Sequence, residues 1–179
     1  MNEIKISSIG ELKHSISNIQ EKTALVAKGL YPHEKWDLLE NGIFIARSRM
    51  PRSADQLNVL DKELRQARIL VKCGNIVYLL PEVDQPRIKN KKYPDAVVDG
   101  LIMEFKTVLG NERKIKEKYK EGREKAENVF LYIEPPFSQR TVASKLLGTI
   151  RGKGYETGLI WVYFSQSGKM AYWSVKDLK

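Results

Sequence analysis

The sequence predicts an α/β fold: a central mixed sheet flanked by helices, preceded by a mainly helical N-terminal segment. Three observations carry this. Apolar residues recur at helical spacing in two long stretches, Ile9 to Lys28 and Ser53 to Cys73. Ile76-Val77-Tyr78-Leu79-Leu80 is an unbroken apolar run closed by Pro81, the pattern of a strand covered on both faces. Past residue 50 the predicted order is helix, strand, strand, strand, helix, strand, helix, strand, strand, which suits helices laid on a mixed sheet.

In chain order, the first helix is expected over Ile9 to Lys28, with Ile9, Leu12, Ile16, Ile19, Ala24 and Ala27 on one face and Gly29 as its stop. His33 to Leu39 reads as a second short helical piece, Asn41-Gly42 as a turn, and Ile43 to Ala46 as a brief strand. Arg47 to Arg52 holds three arginines and Pro51, reads as a loop, and is the best boundary, dividing a segment 1–50 from a domain 51–179. Ser53 can cap the next helix, whose apolar face carries Leu57, Leu60, Leu64, Ala67, Ile69 and Leu70 and which Gly74 ends. Asp84 to Tyr93 is a basic polar loop. Asp95 to Thr107 reads as a hairpin, Asn111 to Glu127 as a charged helix and Val129 to Ile133 as a strand stopped by Pro135-Pro136. Ser138 can cap a basic helix ending near Gly152 to Gly154. Leu159 to Phe164 and Met170 to Val175 are two final strands joined at Ser167-Gly168.

The composition of the 179-residue chain, 42% hydrophobic and 30% charged, is that of a globular protein. No apolar run approaches the length of a membrane span, and Met1 to Gly10 lacks a basic region followed by an apolar core, so neither a membrane anchor nor a secretory signal is expected. Cys73 is the one cysteine, which excludes an intrachain disulfide and fits a reducing compartment such as the cytoplasm. A net charge of +9 favours an anionic partner, with nucleic acid first because neutralised phosphates release counterions. Many small basic proteins bind nothing of the kind, so the charge needs a site beside it.

The segment Pro94 to Lys106 supplies one. Asp99-Gly100, flanked by β-formers, is a strong signal for a two-residue hairpin turn. With that turn, Val98 pairs with Leu101, Val97 with Ile102, Ala96 with Met103 and Asp95 with Glu104. Opposed side chains then lie about 5 Å apart on one face. Lys106, two residues past Glu104, points to the same face. Two carboxylates this close repel unless a divalent cation lies between them or one is protonated. Oxygen donors completed by water and a phosphate oxygen suit Mg²⁺ or Mn²⁺, with Zn²⁺ as the other candidate. Such an ion activates water for attack on a phosphodiester, and a lysine beside it can steady the developing charge. The competing reading is a solvated strand edge with an ordinary cross-strand pair.

The residues ahead of this segment extend the pattern. Asp61-Lys62-Glu63-Leu64-Arg65-Gln66-Ala67 in a helix, Val71 to Glu82, Tyr93-Pro94-Asp95 and Met103-Glu104-Phe105-Lys106 together resemble the PD-(D/E)xK nuclease superfamily. The nearest likeness is to the C-terminal toxin domains of contact-dependent growth inhibition (CdiA) proteins, many of them tRNA nucleases. The resemblance covers about Asn58 to Ile133, extends less firmly to Lys179, and leaves out residues 1–50. It implies a restriction-endonuclease-like core and a metal-dependent endonuclease. In that likeness Glu63 is the acid on the first core helix that helps hold the metal or its water. Asp95 is the central metal ligand, Glu104 the second, and Lys106 the catalytic lysine. Glu82, at a strand end, is a weaker match with a supporting role, and Gln139 is a lesser candidate near the site. The alternative for Glu63 is a helix-surface acid paired with a nearby Lys or Arg.

The resemblance further implies RNA, tRNA included, as substrate. The same core serves DNases, and the residues do not separate the two. It implies an acidic immunity protein as partner, and action in the cytoplasm, either after delivery as part of a larger secreted toxin or as a free-standing relative. The reading from a different class is a catalytically decayed nucleic-acid-binding module of a mobile element. For phosphate contact the candidates are Lys89, Lys91 and Lys92 in the basic loop and Arg140, Lys145 and Arg151 on the helix after Ser138, where the competing reading is a basic solvent face. His14 and His33 are expected as surface or packing residues, Cys73 as a small core residue, and Tyr163, Phe164, Tyr172 and Trp173 as core.

Overall fold

The structure is a computed structural model that describes residues 9–82 and 93–179, with side chains from residue 17 onward. The basic-loop candidates Lys89, Lys91 and Lys92, and the His14 side chain, lie outside the described residues. Four α-helices are described: α1 (Ile9–Leu30), α2 (Ala54–Lys72), α3 (Arg113–Arg123) and α4 (Gln139–Lys153). The strands are β1 (Trp36–Glu40), β2 (Ile43–Ala46), β3 (Val77–Leu79), β4 (Ala96–Val98), β5 (Leu101–Val108), β6 (Asn128–Ile133), β7 (Leu159–Phe164) and β8 (Lys169–Ser174). These eight strands form a sheet that follows chain order from β1 to β8. Pairs β2–β3, β5–β6 and β6–β7 are parallel and the others antiparallel. Each parallel pair is bridged by one helix, α2, α3 or α4, because a parallel return needs a crossover. The α/β architecture with a mixed sheet is therefore present, in the element order expected past residue 50.

The expected helix over His33 to Leu39 is instead β1. Trp36 packs edge-on against Tyr78 at 5.3 Å, and Gly42 at φ +79° turns the chain back so that Trp36 pairs with Ala46. Cross-strand pairing outweighs the weak helical pattern of seven residues. The Arg47 to Arg52 stretch opens with a 3₁₀ turn at Arg47–Arg49. Because β2 runs parallel to β3, the sheet continues across residue 50.

Helices α2 and α4 start as their caps dictate. Ser53 Oγ accepts from the Gln56 N–H at 3.3 Å, and Ser138 Oγ from the Thr141 N–H at 3.1 Å. Cys73, expected in the core, is exposed. It is the C-cap of α2, and Gly74 at φ +91° turns the chain away before its side chain can follow Leu70 inward.

Strand alternation divides the core into two faces. One face is covered by α2, whose Leu60, Leu64, Ala67 and Leu70 meet Ile43, Ile45, Val77, Leu79, Ala96, Met103 and Phe105. The other face carries two separate clusters. Under α1, Ala27 packs with Tyr78, Leu80 and Val97. Under α3 and α4, Ile115, Tyr119, Val142 and Leu146 pack with Val129, Leu131, Ile160 and Val162. Between those clusters lies β5, and the seam is where charge is found. Tyr172, expected as core, is half exposed because β8 is an edge strand, although its ring still meets Trp161 at 5.3 Å. Phe164 is buried as expected.

Candidate active site

Asp99 and Gly100 form the predicted turn, at φ +48° and +82°, the conformation a two-residue hairpin of this twist needs. The register is the expected one: Val98 with Leu101, Val97 with Ile102, Ala96 with Met103. Asp99 fixes the turn further, its Oδ1 accepting from the Ile76 N–H at 2.7 Å. One position beyond this ladder stand Asp95 and Glu104. Glu104 pairs laterally with Val129, and Lys106 with Leu131, so both side chains lie on the face of α3.

The local chemistry follows from strand lengths. Strand β4 pairs with β5 only as far as Met103, while β5 runs on to Val108. Its free edge needs an acceptor. Asp95 supplies it: Oδ2 accepts from the Phe105 N–H at 2.8 Å. The Asp95 carbonyl accepts from the Leu80 N–H at 2.9 Å and from the Arg49 guanidinium at 3.0 Å. Asp95 is thus fixed by backbone and side chain together.

Glu104 is completely buried. Its Oε1 accepts from Lys106 Nζ and, at 2.8 Å, from Lys125 Nζ. Its Oε2 is buried without a hydrogen-bond partner among the described residues. Burial, and then the Asp95 charge, raise its pKa against the pull of the two lysines. Glu63 reaches the same region from α2 and is ion-paired to Arg49. Burial is the largest influence on Glu63, and with Asp95 and Glu82 it outweighs Arg49, pushing the pKa up to about 7. The pairing named in the alternative reading of Glu63 is present, with Arg49 as its partner, but at a side chain only 14% exposed and not on the solvated surface of α2.

Two residues of this cluster were not identified from sequence. Arg49 is buried, and its guanidinium spans Glu63 Oε2, the Leu80 carbonyl and the Asp95 carbonyl. It lies within the arginine-rich stretch Arg47 to Arg52, but nothing in that stretch distinguishes one arginine from another. Lys125 follows α3, within the stretch Asn111 to Glu127 expected as a charged helix. Burial lowers its pKa, yet Glu104, Asp95 and Glu63 together raise it, so three acids act on this one ammonium. No spacing rule connects Lys125 to β5.

The remaining candidates are placed as follows. Glu82 is exposed, borders a cavity of about 190 Å³ with Arg49, Arg52 and Gln56, and acts on Glu63 through its charge. Gln139 is exposed at the first turn of α4 and takes no part in the hydrogen bonds of the cluster. Arg140 is exposed, Lys145 is paired with Glu112 at 2.8 Å, and Arg151 donates to the Lys179 carbonyl at 2.9 Å. His33 is exposed, as expected.

The donor set fits a hard divalent cation in one specific respect. A buried carboxylate oxygen without a donor, Glu104 Oε2, is costly unless a cation meets it. Among the described residues no group of three or more His, Cys, Asp or Glu side chains is placed to hold a metal ion. Around Glu104, lysine ammoniums hold the positions closest to Oε1. Among the described residues, no helix is long and apolar enough to cross a membrane. No protein-family model, curated protein or solved structure matches the chain.

Proposed function

We propose that the protein is a metal-dependent endonuclease of PD-(D/E)xK type, hydrolysing phosphodiester bonds at the Asp95, Glu104, Lys106 and Glu63 cluster. The observation that carries this reading is the buried Glu104, with one oxygen unpartnered and the other held by lysine, one register step beyond a hairpin that brings up Asp95. A purely structural ion pair has no need of a second acid beside it, since Asp95 raises the cost of keeping Glu104 charged.

In this reading Asp95, Glu104 and Glu63 would hold a divalent ion, Mg²⁺ or Mn²⁺ ahead of Zn²⁺. That ion would supply a water of lowered pKa and a polarised phosphoryl oxygen. Asp95 presents a carboxylate oriented by the Phe105 N–H. Glu63, whose carboxyl burial pushes up to about 7, would be held ionised by the bound ion. Lys106, on the same face of β5 two residues from Glu104, would donate to the phosphoryl oxygens as charge builds on them. The net charge of +9 draws in the polyanion. RNA as the preferred substrate, tRNA included, belongs to the likeness with growth-inhibition toxins, as do an acidic immunity protein as partner and action in the cytoplasm of a target cell.

The test is incubation with tRNA and with plasmid DNA in Mg²⁺, Mn²⁺, Zn²⁺ or EDTA. Cleavage is expected with a divalent ion and none in EDTA, and Asp95→Ala or Lys106→Ala should lower the rate by at least about 100-fold. Cleavage indifferent to both substitutions removes the assigned site. Binding of nucleic acid without cleavage under every ion favours the decayed module.

A further inference from the structure

Lys125 lies outside every motif that drew attention to β5, yet it occupies the site. It follows α3, at the end of a helix held against β6 by the contact of Gly122 with Val129. Its Nζ sits 2.8 Å from Glu104 Oε1, the oxygen that also takes Lys106. The charges of Asp95 and Glu63 act on it as well. Glu104 is completely buried, whereas the Lys125 side chain is 37% exposed, so the ammonium bridges the buried acid and solvent. Two ammoniums on one carboxylate oxygen leave the other oxygen bare. That is an arrangement with one cation more than Glu104 alone needs.

We propose that Lys125 is a phosphate-binding residue of the active site, stored on Glu104 until a divalent cation displaces it onto the incoming phosphodiester. The inference rests on the nuclease reading of the cluster. A divalent ion arriving at Glu104, Asp95 and Glu63 competes with the lysine ammoniums for the same oxygens. Lys106 is anchored on the strand itself, two residues from Glu104, and keeps its direction. Lys125 comes from a turn at the solvent boundary and is the cation with somewhere to go. Once displaced it needs a new anion, and the phosphate held by the metal is the one at hand. Metal and substrate binding are thereby coupled: each makes room for the other. The exchange is of ion pairs alone, and no covalent bond or electron moves.

The consequence is a pair of effects with opposite signs, which loss of packing cannot produce. Removing Lys125 removes a competitor for the metal and a ligand for the phosphate. The experiment is calorimetric titration of the intact protein with CaCl₂ in the absence of nucleic acid, beside tRNA binding measured in EDTA and in Ca²⁺. Lys125→Met keeps the aliphatic stem and Lys125→Arg keeps the charge. For Lys125→Met, Ca²⁺ affinity is expected to rise, on the order of tenfold, while the gain in tRNA affinity that Ca²⁺ brings to the native protein disappears. Lys125→Arg should restore most of that gain. Ca²⁺ affinity that stays equal or falls in Lys125→Met, or a Ca²⁺-dependent gain in tRNA affinity that survives it, overturns the proposal. So does failure of both proteins to bind Ca²⁺. If Ca²⁺ binding tightens and the Ca²⁺-dependent gain in tRNA affinity disappears under Lys125→Met, while the native protein cleaves no nucleic acid in Mg²⁺, Mn²⁺ or Zn²⁺, the lysine exchange stands and the hydrolytic reading falls.

Discussion

At Glu63 three influences meet: burial, a guanidinium and two neighbouring acids. Burial dominates, and the carboxyl titrates near 7 instead of at its ordinary 4.5. A raised acid pKa means that the folded state holds the proton more tightly than the unfolded chain. The resulting stability is fully present below about pH 4.5 and is lost as pH climbs to 7. Over that window the urea midpoint should fall, by the equivalent of about 3 kcal/mol, and Glu63→Gln should flatten the dependence. Divalent ion, which favours ionised Glu63, should reduce the loss. Cleavage should move the other way, rising with pH up to about 7, with an inflection that shifts down as metal concentration increases. At Arg49 one guanidinium serves a carboxylate and two carbonyls. Arg49→Met takes the guanidinium from Glu63 and the Leu80 carbonyl and leaves the Asp95 carbonyl with the Leu80 N–H alone, and should cost about 3–5 kcal/mol in a denaturation curve. Arg49→Lys should recover only part of this, because a single ammonium cannot span the three acceptors.

The elements of the site are governed by two close approaches. Gly100 closes the hairpin at φ +82°, where a Cβ would be strained and would also stand 2.9 Å from Lys22 Cε. The lysine can move, but the backbone cannot, so Gly100→Ala should cost about 1 kcal/mol or more. Because this turn sets the register that brings Asp95 to Glu104, Ca²⁺ affinity should fall with it. At Gly122 a Cβ would stand 2.8 Å from Val129 Cγ1, within the packed cluster under α3. Gly122→Ala should push α3 off β6 at a cost of about 1–3 kcal/mol. That corresponds to a drop of several degrees in melting temperature for a chain of this size. The displaced helix end carries Lys125, so the lysine exchange is expected to weaken as well. In a native-like control, Ser138→Ala should cost about 1 kcal/mol through the α4 cap alone and leave Ca²⁺ binding unchanged.

For the whole molecule, the sheet extends across residue 50. Removal of residues 1–50 would uncover β3, whose three residues are all buried, and would take away Arg49. The shortened chain should lose its cooperative melting transition and be digested by protease far faster than the full chain; a stable, active 51–179 fragment would disprove this. Much of the molecule was legible in the sequence. Ser53, Ser138 and Gly154 mark helix ends by local capping, the Ile76 to Leu80 run declares a strand buried on both faces, and Asp99-Gly100 sets a register that carries Asp95 to Glu104. These signals are legible because each depends on neighbours a few residues away. What needed the tertiary structure depends on distant ones. Trp36 to Glu40 is a strand because β2 and Tyr78 are there to receive it. Cys73 is exposed because the chain turns at Gly74 before it reaches the core. The sequence by itself determined where the four helices lie, the order of elements past residue 50 and the hairpin that presents two acids and a lysine, since period, caps and turn chemistry are short-range. Only the tertiary structure decided that Arg49 and Lys125 join them. Those two cations are 76 residues apart in sequence; Arg49 is fixed by Glu63 of α2 and by the Leu80 and Asp95 carbonyls, and Lys125 by Glu104 on the face of α3, because a buried carboxylate needs a positive partner that only the folded sheet brings to it.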